Sequence, residues 1–352
     1  MLLHRKAAVE KILDVHTSGG IGWLHRPSDR DRANLRACQR VIAAGCHSRR
    51  SELTATLTAP IGFAVIDKPA GLTSHACVAR IRRLLGIRRV GHGGTLDPAV
   101  TGVLPIAVGQ ATRLLPYLPG EKTYRGVIQL GVTTNTDDLQ GDELSRDSVP
   151  DLCSEALDQA LSRFRGLINQ HPPQVSAVHV NGERAHARAR RGEVMELPAR
   201  PVTIHQLRVL GWDAARAQLS VEVHCSAGTY IRSLARDLGA SLGCGGCLAS
   251  LRRTQALGFH DDKAVPLPDA PAIVGEGALA LLPPELALPH LPRRLLTPHE
   301  QLDWSYGRRI TPGIGESAEA VVMLSESGRM LGLGVPDEED GLRPKLVFEA
   351  KG

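Results

Sequence analysis

One carboxylate stands out for its setting. In the stretch RVGHGGTLDPAVTGVLPIAVGQATRLL, residues 89–115, Asp97 follows Gly91, Gly93 and Gly94 and directly precedes Pro98. Glycines accept positive φ and let a partner backbone come close, while Pro98 biases Leu96-Asp97 away from helix and stiffens the chain. The spacing therefore predicts a rigid loop that presents a single carboxylate. An Asp-Pro pair is also a common turn, so its meaning depends on what accompanies it. Three other clusters do: Lys122-Thr123-Tyr124-Arg125, Cys225 to Arg232, and Leu251-Arg252-Arg253.

The elements that must position these groups are legible in outline. Ile61 to Ile66 is a β-type run closed by the turn Asp67-Lys68-Pro69-Ala70-Gly71. Thr73-Ser74 offers a helix N-cap ahead of Val78, Ile81, Leu84 and Leu85, an apolar face at helical spacing. Val100 to Val108 is a short buried segment, and Gly102 and Pro105 argue against a long helix there. Val127 to Leu130 is a strand with Tyr124 at its entry, Thr133 to Asp142 an acidic loop, and Leu152 to Phe164 a helix. After the break at His171-Pro172-Pro173, Val175 to Val180 reads as extended and Arg184 to Arg191 as a basic helix. Leu207 to Leu210 and Leu219 to His224 read as strands, and Ser233 to Leu242 as a helix ended by the Gly243 to Gly246 cluster. Short strands alternating with helices give a mixed α/β or α+β sheet rather than repeats.

At 352 residues the chain is long enough for more than one domain. No window reaches the roughly 18 apolar residues that a membrane helix requires, which predicts a protein with no membrane partner. Seven scattered cysteines do not form a disulfide framework and fit a reducing cytoplasm. Cys244 and Cys247 make a lone C-x-x-C, for which small buried thiols are the preferred reading over a metal site. The net charge of +5 is unevenly spread. Residues 1–58 carry ten basic and five acidic side chains, and residues 59–120 carry seven and two. Arg80, Arg82, Arg83, Arg88 and Arg89 lie just ahead of the Asp97 loop, as expected if a polyanion crosses that edge, although a solvated helix face has the same composition.

Residues 1–58 show no clear element boundaries, and read as a disordered basic arm, a targeting segment that would make the location organellar, or translated sequence upstream of the true start. Residues 59–265 form the main domain. Residues 266–294 are a Pro-rich linker with a helical piece, and residues 295–352 are strands separated by glycines, the pattern of a small β-barrel. That last unit holds none of the four clusters, so on sequence alone it only positions substrate.

Taken in order, the four clusters, with Lys68-Pro69 upstream, resemble the bacterial tRNA pseudouridine synthases of the TruB family. The resemblance runs from about Gly62 to about Phe259, weakens over the C-terminal unit and skips residues 1–58. It implies the pseudouridine-synthase α/β fold with a C-terminal PUA-like RNA-binding barrel. It also implies an isomerase acting on uridine 55 in the tRNA T-loop by base flipping, as a monomer, without cofactor, metal or guide RNA. The resemblance makes Asp97 the nucleophile, attacking sugar or base, and Arg232 the partner that orients it. It makes Tyr124 the aromatic that stacks on the base and helps remove a proton, and Tyr230 and Leu251 further walls of the base pocket. His92 is placed near the flipped nucleotide, and Lys68 supports the loop structurally.

The pattern has departures. Gln174-Val175 stand where the family usually has aromatic or Met-Tyr residues, His179 where it has lysine, His186 where it has tyrosine, and Ala227 where lysine is frequent. These bear on RNA contact rather than on the chemistry. Two other classes compete: a non-catalytic RNA-binding or RNA-folding protein, and a guide-RNA-dependent synthase. The complete Asp97, Tyr124 and Arg232 set argues against the first, and a short acidic C-terminal unit without a Lys-rich tail against the second.

Overall fold

The computed structural model describes residues 60–350 apart from 177, 181, 190, 194, 269–278, 312–318 and 339–340. The sequence expectations for residues 1–58 lie outside the described residues. Residues 59–352 make one compact unit.

The chain opens with β1 (Gly62–Lys68), whose residues are buried on both sides, as its unbroken apolar run requires. Helix α1 (Ser74–Leu85) follows, capped by the Thr73 hydroxyl accepting from the Ala76 amide at 3.0 Å and ended by Gly86 at φ 65°. Its buried face is Ser74, Cys77, Val78 and Ile81, while Arg82 and Arg83 stay exposed. Strands β2 (Val90–His92) and β3 (Thr101–Val108) flank the Asp97 loop and pair antiparallel with each other. A 3-10 segment, Gly109–Tyr117, leads to β4 (Lys122–Leu130), which carries Tyr124. The acidic loop is partly ordered as a hairpin of β5 (Val132–Thr134) and β6 (Glu143–Arg146).

Helix α2 (Ser154–Ser162), strand β7 (Gly166–Gln170), the small hairpin β8 (His179–Val180) and β9 (Glu183–Arg184), and α3 (Ala185–Ala189) make up the middle of the chain. The basic helix expected at Arg184 to Arg191 is thus only five residues long. Long β10 (Arg200–Asp213) and β11 (Gln218–Cys225) lead to α4 (Ile231–Ser241), then β12 (Gly246–Ala256), β13 (Phe259–His260) and β14 (Val265–Pro266). The main sheet runs β14-β1-β3-β12-β4-β11-β10-β7, with β2 on β3 and β13 on β12. Pairs β1/β14 and β3/β12 are parallel and the others antiparallel, so the expected mixed sheet is what forms. On one face α1, α2 and α4 cover a core that includes Ile66, Ile81, Leu104, Ile106, Ile128, Leu157 and Leu234.

At the C-terminus, β15 (Arg293–Leu295), α5 (Pro298–Ser305), β16 (Val321–Leu324), β17 (Met330–Pro336) and β18 (Leu342–Val347) form a four-stranded sheet with one helix. Among the described residues this sheet does not close into the expected barrel. The reason lies in what covers its faces. Val321, Met323, Leu331 and Leu342 pack with Trp304 of α5, whereas Val322, Leu324, Leu333, Leu346 and Phe348 join Phe63, Val65 and Val103 of the main sheet. Both faces are already buried, so closure is not needed to hide them.

The Pro-rich segment is likewise docked: Leu282 exchanges backbone hydrogen bonds of 2.8 and 2.9 Å with Phe63, and Leu288 is fully buried. The C-terminal sheet therefore helps to complete the core. Deleting residues 295–352 should expose Phe63 and its neighbours, each worth about 1.5–3 kcal/mol when buried. The truncated chain is expected to unfold at clearly lower urea than the full chain; equal midpoints would show that this packing contributes nothing.

Candidate active site

The Asp97 loop is held from below. Ser74 Oγ accepts from the Leu96 amide at 2.8 Å and donates to the Leu96 carbonyl at 3.2 Å. Lys68, fully buried, donates through Nζ to the carbonyls of Pro69, Leu72 and Pro98 at 2.8, 2.7 and 3.1 Å, and burial lowers its pKa. The Gly71 amide adds a bond to the Pro98 carbonyl at 2.8 Å, and Gly94 takes φ 89°. Lysine here braces the loop backbone, as expected, and Asp97 is left half exposed at its tip.

Above the loop opens a cleft of about 270 Å3 lined by Asp97, Lys122, Tyr124, Tyr230, Arg232 and Leu251, with Gly94, Val100, Ser176 and Thr229 around them. Arg232 Nη2 lies 2.9 Å from Asp97 Oδ2. The sequence placed Arg232 just before a helix; it sits instead in the first turn of α4, with its side chain only 7% exposed. Its guanidinium also donates to the Thr136 and Val175 carbonyls at 2.9 Å each, and its Nε is 3.7 Å from Asp138 Oδ2. A buried cation needs such company. A second cavity, about 360 Å3, shares Asp97, Val100, Arg232 and Leu251 with the first, so the ion pair stands on the partition between the two.

Tyr124 is buried at the cleft wall, and burial pushes its phenol pKa up. Tyr230 is fixed through its backbone: Gln170 Oε1 accepts from its amide at 2.8 Å and Gln170 Nε2 donates to its carbonyl at 3.0 Å. Burial raises its phenol pKa as well. Leu251 leans over Gly126, where a Cβ would come within 3.0 Å of its Cδ1; glycine makes room for that wall.

His92 is the candidate that does not line this cleft. It lies on β2 with its ring edge-on to His75 at 5.1 Å and its Nδ1 buried without a partner, and burial lowers its pKa to about 4, so it is neutral at pH 7. Cys244 and Cys247 are buried thiols. Among the departures, Gln174 pairs with the Met195 backbone at 2.8 and 3.0 Å, and Val175 contributes its carbonyl to Arg232. The side chains of His179 and His186 lie outside the described residues.

Sequence reading missed several members. Asp138 accepts from Thr136 Oγ1 at 2.7 Å and from the Gln140 amide at 3.0 Å, which aims its second oxygen at Arg232. Asp137 adopts φ 61°, a conformation Asp tolerates better than most residues, and so turns the loop toward α4. The Asn-Thr-Asp-Asp run between two strands was the available signal. We expect Asp138→Ala to slow the chemical step by about tenfold or more with little change in RNA affinity, because Arg232 loses one of the groups that aim it. Parallel measurement of single-turnover rate and affinity checks this; a change in affinity alone would make Asp138 a binding residue.

Residues 82–231 match the TruB family pseudouridylate synthase N-terminal domain, and residues 232–302 match the tRNA pseudouridylate synthase B C-terminal domain. The tRNA pseudouridine synthase B of Synechococcus sp. strain WH7803 is 74% identical over 300 residues, covering 84% of this chain and all of that protein. The chain belongs to the TruB family of pseudouridylate synthases. The Prochlorococcus marinus strain MIT 9313 tRNA pseudouridine synthase B is 54% identical over 84% of this chain and the whole of that one. Among solved structures, an H/ACA RNP bound to a substrate RNA containing 2'-deoxyuridine matches at TM-score 0.62 and 26% identity, covering 82% of this chain and 84% of that one. The archaeal box H/ACA sRNP Nop10-Cbf5 complex matches at TM-score 0.61 and 27% identity over 84% and 88% of the two chains. Membership of the TruB family makes this chain an isomerase.

Proposed function

We propose that this TruB-family chain converts uridine 55 in the T-loop of tRNA to pseudouridine, unaided by a guide RNA, as a cytoplasmic monomer. The observation that carries the reading is the 2.9 Å Asp97–Arg232 pair in a cleft walled by Tyr124, Tyr230 and Leu251. The relatives that match over their whole length are named as tRNA pseudouridine synthases. Among the described residues no helix is long and apolar enough to cross a membrane.

The reaction breaks the bond from C1' to N1, turns the uracil, and joins C1' to C5. C5 loses its hydrogen and N1 gains one, so substrate and product have the same formula and no net oxidation occurs. Asp97, oriented by Arg232, is the nucleophile, and the half-exposed carboxylate is open to the sugar or the base. The base must leave the stack of a folded loop, at a cost of a few kcal/mol, offset by contact with Tyr124, Tyr230 and Leu251. The exposed Arg82, Arg83, Arg88 and Arg89 suit the phosphates beside the flipped nucleotide. A place for His92 near that nucleotide rests on the family resemblance and on its neighbouring position in β2.

The test is to incubate the full chain with an unmodified tRNA transcript, without guide RNA or added metal, and to map pseudouridine by base. Modification confined to the T-loop uridine is the expected result. Modification elsewhere would move the target, and none at all without a guide RNA would favour the guide-dependent reading.

A further inference from the structure

Helix α4 carries two arginines one turn apart, Arg232 and Arg236, and the second has no part in the chemistry above. Side chains at i and i+4 are neighbours on a helix face, and like charges there repel. Arg232 also lies in the first turn, where the helix dipole disfavours a cation. Two segments packed against the helix offset these costs. The first is residues 171–176, which end at Ser176 in the wall of the Asp97 cleft. The Val175 carbonyl accepts from Arg232 Nη2 at 2.9 Å, and the His171 carbonyl accepts from Arg236 Nη2 at 3.0 Å. The second is the acidic turn, which walls the second cavity through Asp138, Leu139 and Gln140. There the Thr136 carbonyl accepts from Arg232 Nη1 at 2.9 Å, Asp138 Oδ2 lies 3.7 Å from Arg232 Nε, and Asp137 Oδ2 accepts from Arg236 Nη1 at 2.9 Å. Each arginine thus ties the same two segments together. Consecutive carboxylates, Asp137 and Asp138, answer cations on consecutive turns of the helix.

We propose that Arg236 is a positioning residue: by holding Asp137 it fixes the turn that presents Thr136 and Asp138 to Arg232, and so sets Arg232 on Asp97. This rests on the reading of the cleft as a uridine-isomerising site. The His171 carbonyl also accepts from Ser233 Oγ at 2.8 Å, so the 171–176 segment stays tied to α4 without Arg236. The acidic turn is less secure. Its backbone is bonded to Leu248 of β12, at the Asp137 carbonyl and the Leu139 amide, by 2.9 and 3.0 Å, and the Asp137–Arg236 pair fastens it to α4. Asp137 holds φ 61°, a backbone conformation that persists when its surroundings fix it. Burial pushes the Asp137 carboxyl pKa up, and the Arg236 charge is the first influence that pulls it back. All three guanidinium nitrogens of Arg236 are engaged, with Nε donating to Asp237 Oδ1 at 2.9 Å. Lysine cannot reproduce that fork.

The test uses the full chain as wild type, Arg236→Met, Arg236→Lys, Asp137→Ala and the double variant Arg236→Met with Asp137→Ala. Single-turnover rates over a range of unmodified tRNA concentrations separate the saturating rate from half-saturation, and urea midpoints follow folding. Arg236→Met should lower the saturating rate about tenfold or more, because a small displacement of an orienting group is costly in rate, and leave half-saturation within about threefold of wild type. Arg236→Lys should recover part of the rate. The double variant should be at most about threefold slower than Arg236→Met alone, since both changes break the same pair. A wild-type saturating rate in Arg236→Met, with a lower urea midpoint, would make Arg236 a brace for the fold and overturn the proposal. A rise in half-saturation alone would make it an RNA contact, and a fully additive loss in the double variant would show that it does not act through Asp137; either overturns the proposal. If Arg236→Met does not fold, Arg236→Lys and Asp137→Ala decide by the same rates. A wild type that isomerises no tRNA uridine would sink the proposed function instead. Crystal structures of wild type and Arg236→Met without RNA would then judge the positioning: Arg232 displaced from Asp97 in the variant supports it, and an unmoved pair overturns it.

Discussion

Asp97→Asn should lower the single-turnover rate by at least about a thousandfold while leaving tRNA affinity within several-fold of wild type. The amide is nearly isosteric with the carboxylate, and its oxygen can still accept from Arg232 Nη2, so the loop and the buried guanidinium keep their arrangement. What is lost, on the proposed mechanism, is the nucleophile. The loop itself is fixed by Ser74 and Lys68, neither of which touches the Asp97 side chain, so the substitution should not disturb folding. Parallel measurement of affinity separates the chemical step from binding. Appreciable residual turnover would remove Asp97 from the reaction.

Arg232→Met should be nearly as severe in rate, and here stability should fall too. The substitution leaves Asp97 without its 2.9 Å partner, brings Asp138 close to an apolar side chain, and strips donors from the Thr136 and Val175 carbonyls. Leaving a buried acceptor unsatisfied costs about 1–3 kcal/mol. Arg232→Lys restores charge but not the planar fork that reaches Asp97, Thr136 and Val175 together, so it should recover only part of the activity. The decisive comparison is the double variant. If Arg232 acts through Asp97, then Arg232→Met should cost little further rate in an Asp97→Asn background, because the shared function is already gone. Single-turnover rates for the four combinations, with urea midpoints to track folding, measure this. A full additional loss in the double variant, or a loss of affinity alone, would make Arg232 a phosphate contact and leave the partner of Asp97 to be found elsewhere.

The order of the four clusters, the strand that carries Tyr124 and the mixed sheet were all determined by sequence, because each depends on local rules. Glycines and a proline within a few residues decide the Asp97 loop, Thr73 and Gly86 decide the ends of α1, and alternation of buried and exposed residues decides β4 and β11. The family resemblance then named Arg232 as the partner of Asp97, a pairing across 135 positions of chain that no local rule supplies; its 2.9 Å geometry is tertiary.

Tertiary structure alone decided the rest. Asp138 joins Arg232 only because the Asp137 turn folds back onto α4, and a positive φ at a non-glycine residue leaves no periodic trace in sequence. Arg253 stands opposite Tyr124 only through the β12/β4 register, which long-range pairing sets and which a one-residue slip would reverse. His92 sits in the same motif as Asp97, but the turn at Gly93 and Gly94 carries the loop away, so nearness along the chain did not put it in the cleft lining. The C-terminal strands read as a barrel because their apolar residues have no evident partner in sequence. In the fold Val322, Leu324 and Phe348 find theirs in Phe63, Val65 and Val103, more than 200 positions away, and a sheet buried by its neighbours has no need to close on itself.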